Sequence, residues 1–332
     1  MLLAGDIGGT KTVLAVFSPE TGPREPLFEA VYRSADYVGL ETIAADFLEK
    51  SGFSVNRASF GVAGPVLRGK ASITNLHWNL DEDYLSRRLR IPEVHLINDL
   101  EAVAHALPHV VPSDLHALNI GRPAPRSTMA IIAPGTGMGE AFLAWDGAHY
   151  RVCPSEGGHS DFAPGTPLEG ELLKHLQGKM DHVSLEMVCS GKGIPHIYGF
   201  LRDTGFGEEP AWLSDKIQAA EDPTPVIMKT ALDDPAISPM CAKTVEMFVS
   251  ILGSAAGNLA LTVMSTRGVF IGGGIPPRII PALDNGRFMK SFSRKGRMAA
   301  FLKKVPVHII LNPRLPLIGA ACLGVGGNRE SS

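Results

Sequence analysis

Two glycine-rich turns, each between apolar runs, carry the residue types best suited to holding phosphate. The first turn is Asp6-Ile7-Gly8-Gly9-Thr10, between the apolar runs 2–5 and 13–17. Paired glycines let backbone N–H groups face an anion, Thr10 adds a hydroxyl donor, and a carboxylate such as Asp6 suits Mg²⁺. The alternative is a tight hairpin turn with a solvated aspartate. A Walker A loop is excluded because its spacing is absent and an apolar strand, not a helix, follows.

The second turn, 135–139, repeats this arrangement with Gly135, Thr136 and Gly137 between the apolar runs 129–133 and 141–145. It resembles a dinucleotide-binding fingerprint only superficially, because the opening helix and the ribose-binding acid are missing. Two equivalent strand–turn–strand units predict a duplicated core and suit a triphosphate held from two sides. A third glycine turn, 272–274, permits a flat approach to an adenosine ring, although by itself a loop or helix start that needs positive φ is the favoured interpretation.

Asn98 and Asp99 follow a short strand-like run, 93–97. In open α/β sheets, ligands collect at the carboxyl ends of strands. An aspartate there can accept a hydroxyl proton, and Asn98 can hydrogen-bond a neighbouring hydroxyl. The alternative is a cap for the predicted helix 100–107, since both residue types are favoured at that position. Without further context, capping is the simpler interpretation.

A compact polar cluster, Glu156-Gly157-Gly158-His159, suits the hydroxyl groups of a sugar. A metal site is less favoured, because this pair supplies two ligands and no third stands nearby in the sequence. Glu186, which precedes the turn at Gly191, is by itself indistinguishable from a surface helix residue.

The elements around these motifs alternate between strand-like and helix-like segments, which predicts an α/β fold. A length of 332 residues suggests about two domains, and the proline-rich passage 108–125 is the candidate boundary. The dense apolar pattern of 242–265 predicts a central helix. A last strand at 305–311 and a last helix at 316–325 follow.

The composition excludes several classes. A net charge of −3 lacks the basic excess of a nucleic-acid-binding protein. The most apolar stretch, 245–264, includes Glu246 and Asn258 and fits a buried helix better than a membrane span. The first residues show no signal-peptide pattern. We therefore expect a cytoplasmic protein with neither membrane nor nucleic acid as partner.

Together, the motifs at 6–10, 98–99, 135–139, 156–159, 186 and 272–274 resemble bacterial ATP-dependent glucokinases, in the hexokinase/actin-like phosphotransferase superfamily. Order and spacing match from about residue 4 to about residue 325. Further similarity lies in Thr74-Asn75-Leu76-His77-Trp78, in 161–164 and in 191–193. No cysteine-rich zinc motif follows His159, which indicates the branch without structural zinc.

This resemblance implies a two-domain actin-like/ribonuclease H-like ATPase fold with an interdomain cleft. The small α/β domain would comprise 1–109 plus about 314–332, and the large α/β domain 110–313. The implied activity is phosphorylation of glucose at its 6-hydroxyl by ATP, giving glucose 6-phosphate in the first step of glycolysis, by a homodimer. A kinase for another hexose and a non-catalytic sugar-binding regulator on the same fold stay open as alternatives.

The resemblance also implies individual roles. Asp99 would be the catalytic base, and Asp6 would approach Mg²⁺ through water. The residues implied to bind glucose are Asn98, Asp99, Glu156, His159 and Glu186. The residues implied to bind ATP are Gly5, Asp6, Ile7, Gly8, Gly9, Thr10, Gly135, Thr136, Gly137, Gly272, Gly273 and Gly274.

Two residues depart from the family pattern. Lys11 stands where many of these glucokinases have asparagine, and it either attracts phosphate or is simply solvated. Glu140 stands where a small apolar residue is usual. A carboxylate beside a triphosphate is repulsive unless it points away or meets a cation.

Overall fold

A computed structural model describes residues 1–73 and 76–325. Contacts divide the chain into two compact units, one of residues Met1–Val111 with the C-terminal segment from Asn312, the other of residues Pro112–Leu311. Thr74 and Asn75 of the family-like motif, and residues 326–332 at the predicted end of the small domain, lie outside the described residues.

The elements follow one another in a mixed α/β order. In the first part of the chain they are β1 (Leu2–Ile7), β2 (Lys11–Phe17), β3 (Phe28–Arg33), α1 (Leu40–Ser51), β4 (Arg57–Val62), β5 (Val66–Leu67), β6 (Lys70–Ile73), β7 (Trp78–Asp81), α2 (Glu82–Leu89), β8 (Glu93–Asn98) and α3 (Asp99–Ala106). The second unit begins with β9 (Leu115–Asn119), β10 (Met129–Pro134), β11 (Met138–Trp145), β12 (Tyr150–Ser155), α4 (Pro167–Gln177) and α5 (Gly193–Asp203). It continues with α6 (Ala211–Ala219), α7 (Thr224–Asp233), α8 (Pro239–Thr262), β13 (Gly268–Ile271), α9 (Ile280–Leu283), α10 (Arg287–Ser293), α11 (Ala299–Leu302) and β14 (Val307–Ile310). Helix α12 (Leu315–Val325) belongs to the first unit.

The two units repeat one sheet topology. The first has strand order β3-β2-β1-β4-β8, and the second has β12-β11-β10-β13-β14 with β9 added at the edge. In each, an antiparallel meander of three strands joins two parallel strands. The predicted α/β fold with a duplicated core is therefore confirmed.

In the first unit, alternation along β1 explains why helices cover both faces of the sheet. Successive side chains of a strand point to opposite faces. Leu3 and Ile7 join the core that contains α1, whereas Leu2 and Ala4 join the core that contains α12. In α1, the spacing of the buried residues Leu40, Ile43, Ala44 and Phe47 places them on one face.

In the second unit, α8 forms the centre of the core. It is the one helix among the described residues that is long and apolar enough to cross a membrane, and 78% of its most apolar stretch is buried inside the protein. A core helix satisfies the same criteria of length and composition. Gly253 and Gly257 bring α8 against α10, because a side chain at either position would overlap the carbonyl of Phe288 or Phe292.

The two glycine turns predicted to hold phosphate, at 6–10 and 135–139, are shorter than the sequence predicts. The ladder between β1 and β2 continues to Ile7 and Thr12, so Asp6 and Ile7 belong to the strand. The ladder between β10 and β11 continues to Pro134 and Met138, which places 139 and 140 in β11. The predictions of turns at 6–10 and 135–139 are wrong at these ends. Parallel pairing with β4 extends β1 past the point that local composition suggests, and antiparallel pairing with β10 and β12 does the same for the start of β11.

Candidate active site

The turn between β1 and β2 consists of Gly8, Gly9 and Thr10, and a buried serine supports it. The Ser34 hydroxyl donates to the Gly8 carbonyl at 2.8 Å, and the Ser34 N–H donates to the Thr10 carbonyl at 3.1 Å. The Thr12 hydroxyl lies 3.1 Å from that of Ser34, and both side chains are buried. Ser34 thus fixes the turn. Sequence reasoning missed it, because no local signal links it to a turn that lies more than twenty residues earlier.

Asp6, near the end of β1, is a half-buried carboxylate with altered acidity. Burial and, to a smaller extent, the negative charge of Asp99 raise its pKa to about 6, against the opposing effect of the Lys11 ammonium. Lys11 itself is exposed. Lys11, one of the two residues that depart from the family pattern, therefore lowers the pKa of Asp6 and favours its ionised form.

Asn98 and Asp99 stand where β8 passes into α3. The Asn98 carboxamide oxygen accepts the N–H groups of Leu100 at 2.9 Å and Glu101 at 3.4 Å, and its NH₂ donates to the Gly64 carbonyl at 2.9 Å. The capping interpretation is thus confirmed for Asn98. Its NH₂ group also donates to the carboxylate of Asp99.

Asp99 is the first residue of α3 and is accessible to solvent. Its carboxylate accepts the N–H of Leu100 at 2.8 Å. Partial desolvation raises the pKa of Asp99, while hydrogen bonds from Leu100 and Asn98 hold the increase back. An accessible carboxylate with a raised pKa, fixed at the end of a strand, can act as a general base.

In the second unit, Glu186 ties the other glycine turn to the polar cluster. Its carboxylate accepts the N–H of Met138 at 2.9 Å and lies directly against Gly137, and its own N–H donates to the Gly158 carbonyl at 2.9 Å. Gly191 adds a second tie, because its N–H donates to the Gly135 carbonyl at 2.8 Å. The isolated interpretation of Glu186 as a surface helix residue is wrong, since it is half-buried and lies in a turn.

Glu156 precedes a short 3₁₀ helix, Gly157–His159, and His159 is its last residue; both side chains project outward. Their side chains are 83% and 59% exposed, and a Glu156 carboxylate oxygen lies 3.9 Å from the His159 Nε2 atom. Gly158 packs against the carbonyl of Met138, which holds this segment against the start of β11. Both side chains are free to bind a polar molecule from solvent.

The glycines of the three turns differ in whether the fold itself requires glycine at their positions. A side chain at Gly135 or Gly274 would meet nothing within 4 Å, so these positions leave open space. Gly273 has φ +83° and lies over the Pro134 carbonyl, as the conformational alternative predicts. The turn at 272–274 lies beside that at 135–137 because β13 pairs in parallel with β10.

Two of the residues predicted to bind nucleotide lie inside the first core instead. A methyl group on Gly5 would lie 2.7 Å from the side chains of Leu14 and Phe60, so this glycine makes room for packing. Ile7 is fully buried. Gly5 is an interior residue of β1, and only main-chain atoms of either residue can face a ligand.

Asp6 is the candidate for holding Mg²⁺. Across residues 1–73 and 76–325, no group of three or more His, Cys, Asp or Glu side chains is placed to hold a metal ion. Magnesium often binds through one or two carboxylates with waters and substrate phosphates completing the shell. A half-buried carboxylate with a raised pKa beside a phosphate-type turn fits that description.

The duplicated sheets, the paired glycine turns and the carboxylate at the end of β8 define a phosphotransferase of the actin-like class. The family model for glucokinase matches residues 3–325. The glucokinase of Nostoc punctiforme is 41% identical over 97% of this chain and 98% of its own length, and that of Caulobacter sp. strain K31 is 35% identical over 96% and 93%. The crystal structure of glucokinase from an Antarctic psychrotroph has a TM-score of 0.85 and 32% identity over 98% of this chain and 99% of that one. The chain belongs to the glucokinase family.

Proposed function

We propose that this protein transfers the γ-phosphoryl group of ATP to the 6-hydroxyl of glucose, giving glucose 6-phosphate in the first step of glycolysis. The family membership supports the substrate pair. Within the molecule, the observation that carries the proposal is Asp99, an accessible carboxylate fixed at the carboxyl end of β8 with a raised pKa.

Phosphoryl transfer requires positioning and charge neutralisation more than covalent chemistry from the protein. Asp99 accepts the proton of the sugar hydroxyl as its oxygen attacks the γ-phosphorus, and the bond from that phosphorus to the leaving ADP oxygen breaks. A raised pKa suits this role, because a base is most effective when its pKa approaches the working pH.

The remaining sugar contacts are assigned to four polar side chains. Glu156 and His159 are exposed, and the Asn98 carboxamide lies beside the proposed base, to which it donates a hydrogen bond. Glu186 has one oxygen bound to Met138, which leaves the other for a sugar hydroxyl. The support for these four assignments is the family resemblance together with this hydrogen-bonding capacity.

The nucleotide is assigned to the turns at 8–10, 135–137 and 272–274, with main-chain contacts from Gly5, Asp6 and Ile7. Open space at Gly135 and Gly274 and the unobstructed Thr10 support this assignment. Asp6 would hold Mg²⁺ through water, and the ion would supply positive charge to the phosphates.

The activity and the base are tested together by a coupled assay of ADP release with Mg²⁺ and a panel of hexoses. Asp99→Asn is compared with Asp83→Asn, a control at an exposed first-turn aspartate of α2. We expect glucose to have the highest kcat/KM, and Asp99→Asn to lower kcat at least 10²-fold with little change in glucose binding. A preference for another hexose, or no sugar-dependent ADP release, would overturn the substrate. Near-normal kcat in Asp99→Asn would overturn the base.

We further propose a cytoplasmic homodimer. The support is the family resemblance and, for location, the burial of α8 within its own unit. Light scattering of the purified chain gives the mass directly, and a mass of one chain at micromolar concentration would overturn the dimer.

A further inference from the structure

Glu140 is a buried carboxylate that the proposed reaction does not use. It lies in β11 between Ile132 of β10 and Ser155 of β12, and only 9% of the residue is exposed. Among the described residues, no group donates a hydrogen bond to it or pairs with its charge. Burial raises its pKa to about 7. A carboxylate that receives no donor from the chain and borders a cavity is open to a partner from outside the chain.

The Glu140 carboxylate lines a cavity within the second unit. The cavity holds about 270 Å³ and is bounded by β11, β12, the segment 157–163 and one side of α8. Ser155 and Asn258 add polar groups, and Phe142, Phe162 and Leu259 add apolar surface. A cavity of about 150 Å³ accepts benzene, so this one has room for a ligand of about eight to ten heavy atoms.

We propose that the Glu140 cavity is a ligand site for a small primary amine, whose ammonium group pairs with the Glu140 carboxylate and whose apolar body lies against Phe142 and Phe162. An ammonium supplies the donors that the carboxylate lacks, in a site where a charge-assisted hydrogen bond is strong. It also supplies a positive charge to a carboxylate that no cationic side chain of the described residues pairs with.

The other titratable groups around the cavity do not compete for the ligand's charge. Asp161 lines the cavity, but its side chain is 94% exposed and pairs with His182 at 3.0 Å. Cys189 is fully buried near Glu140, and burial keeps its thiol neutral by raising its pKa. The part of α8 that lines the cavity carries no charged side chain. Glu140 is thus the one buried charge available to the amine among the described lining residues.

Occupancy of the cavity would reach the segment that carries Glu156 and His159. The Glu140 carboxylate lies against Gly157, whose N–H donates to the Ser155 hydroxyl at 3.0 Å and whose carbonyl accepts the Ser160 hydroxyl at 2.6 Å. Ser155, Gly157 and Ser160 all line the cavity. A bound amine is therefore expected to alter the KM for glucose more than kcat, a consequence that rests on the proposed function.

Binding is tested without substrates, by calorimetric titration with benzylammonium at pH 6 and pH 8, where the probe stays protonated. With a Glu140 pKa of about 7, the ionised fraction rises roughly tenfold over this interval, so we expect about tenfold tighter binding at pH 8. Neutral benzyl alcohol should bind at least tenfold more weakly at pH 8. Glu140→Gln should abolish the pH dependence, and Asp161→Asn, the matched control, should retain it.

Equal benzylammonium affinity at both pH values, or benzyl alcohol binding as tightly, would overturn the site. So would crystals soaked in benzylammonium that show only water at Glu140. If Glu140→Gln fails to fold, the pH dependence and the alcohol comparison in the unmodified chain decide the question. If benzylammonium binds without changing the KM for glucose, only the proposed effect on glucose binding is overturned. If the protein does not phosphorylate glucose, the binding result still stands, because the titration contains no substrate.

Discussion

The replacement Asp6→Asn should stabilise the first unit while abolishing activity. The carboxyl has a pKa of 3.8 when free and about 6 in the fold, because burial and the Asp99 charge disfavour its ionised form. Below pH 3.8 the Asp6 carboxyl is protonated in both the folded and the unfolded state, so its ionisation takes no free energy from folding. The penalty grows as pH rises from 3.8 to about 6 and is constant above. From the two pKa values, the loss of unfolding free energy is about 1 kcal/mol near pH 4.5 and about 3 kcal/mol near pH 7.5.

Asparagine removes the charge and keeps the shape, so the gain in unfolding free energy should follow these two values. The measurement uses a chain in which Trp145 and Trp212 are replaced by phenylalanine. Its remaining tryptophan, Trp78, is buried in the first unit, so its fluorescence during urea unfolding reports on that unit. Asp83→Asn serves as the control and should change nothing at either pH. Equal stabilisation by Asp6→Asn at both pH values, or none at all, would refute the electrostatic argument.

Three further outcomes follow from single contacts. Gly135→Ala should leave the unfolding free energy unchanged or raise it by up to about 1 kcal/mol, because the added Cβ meets no atom, and it should raise the KM for ATP. Gly273→Ala, at φ +83°, should instead lower the unfolding free energy in urea by more than about 2 kcal/mol. Ser34→Ala removes the donor to the first turn, and we expect a KM for ATP about tenfold higher with the KM for glucose unchanged in initial-rate assays. Glu186→Gln weakens a charge-assisted bond to the second turn, so both KM values should rise, whereas Glu156→Gln should raise that for glucose alone.

Local patterns were sufficient to predict the strand–turn–strand units and the main helices. Those features depend on residues close together in the chain, such as the apolar spacing of α1 or the glycines at 8 and 9. The ends of the turns required more, because Asp6 and Ile7 extend β1 through pairing with β4, which begins fifty residues further on. Strand pairing of that range leaves no mark on the local composition.

The supporting contacts of the candidate site could not be predicted for the same reason. Ser34 reaches Gly8 across 26 residues, and Glu186 reaches Met138 across 48. Each contact exists only because a sheet or a packed turn brings distant segments together. The sequence indicated Glu186 through family resemblance alone, and nothing in the sequence indicated Ser34.

The glycines show how the structure sharpens a functional assignment. A glycine is explained by the fold when a side chain would collide, as at Gly5, or when φ is positive, as at Gly273. Neither reason applies at Gly135 or Gly274, where a side chain would meet open space. A residue that the fold does not require to be glycine, in a turn beside the carboxyl ends of parallel strands, is best explained by the close approach of a ligand to the backbone. The nucleotide is therefore expected to contact the main chain at Gly135 and Gly274 more directly than at Gly5 or Gly273.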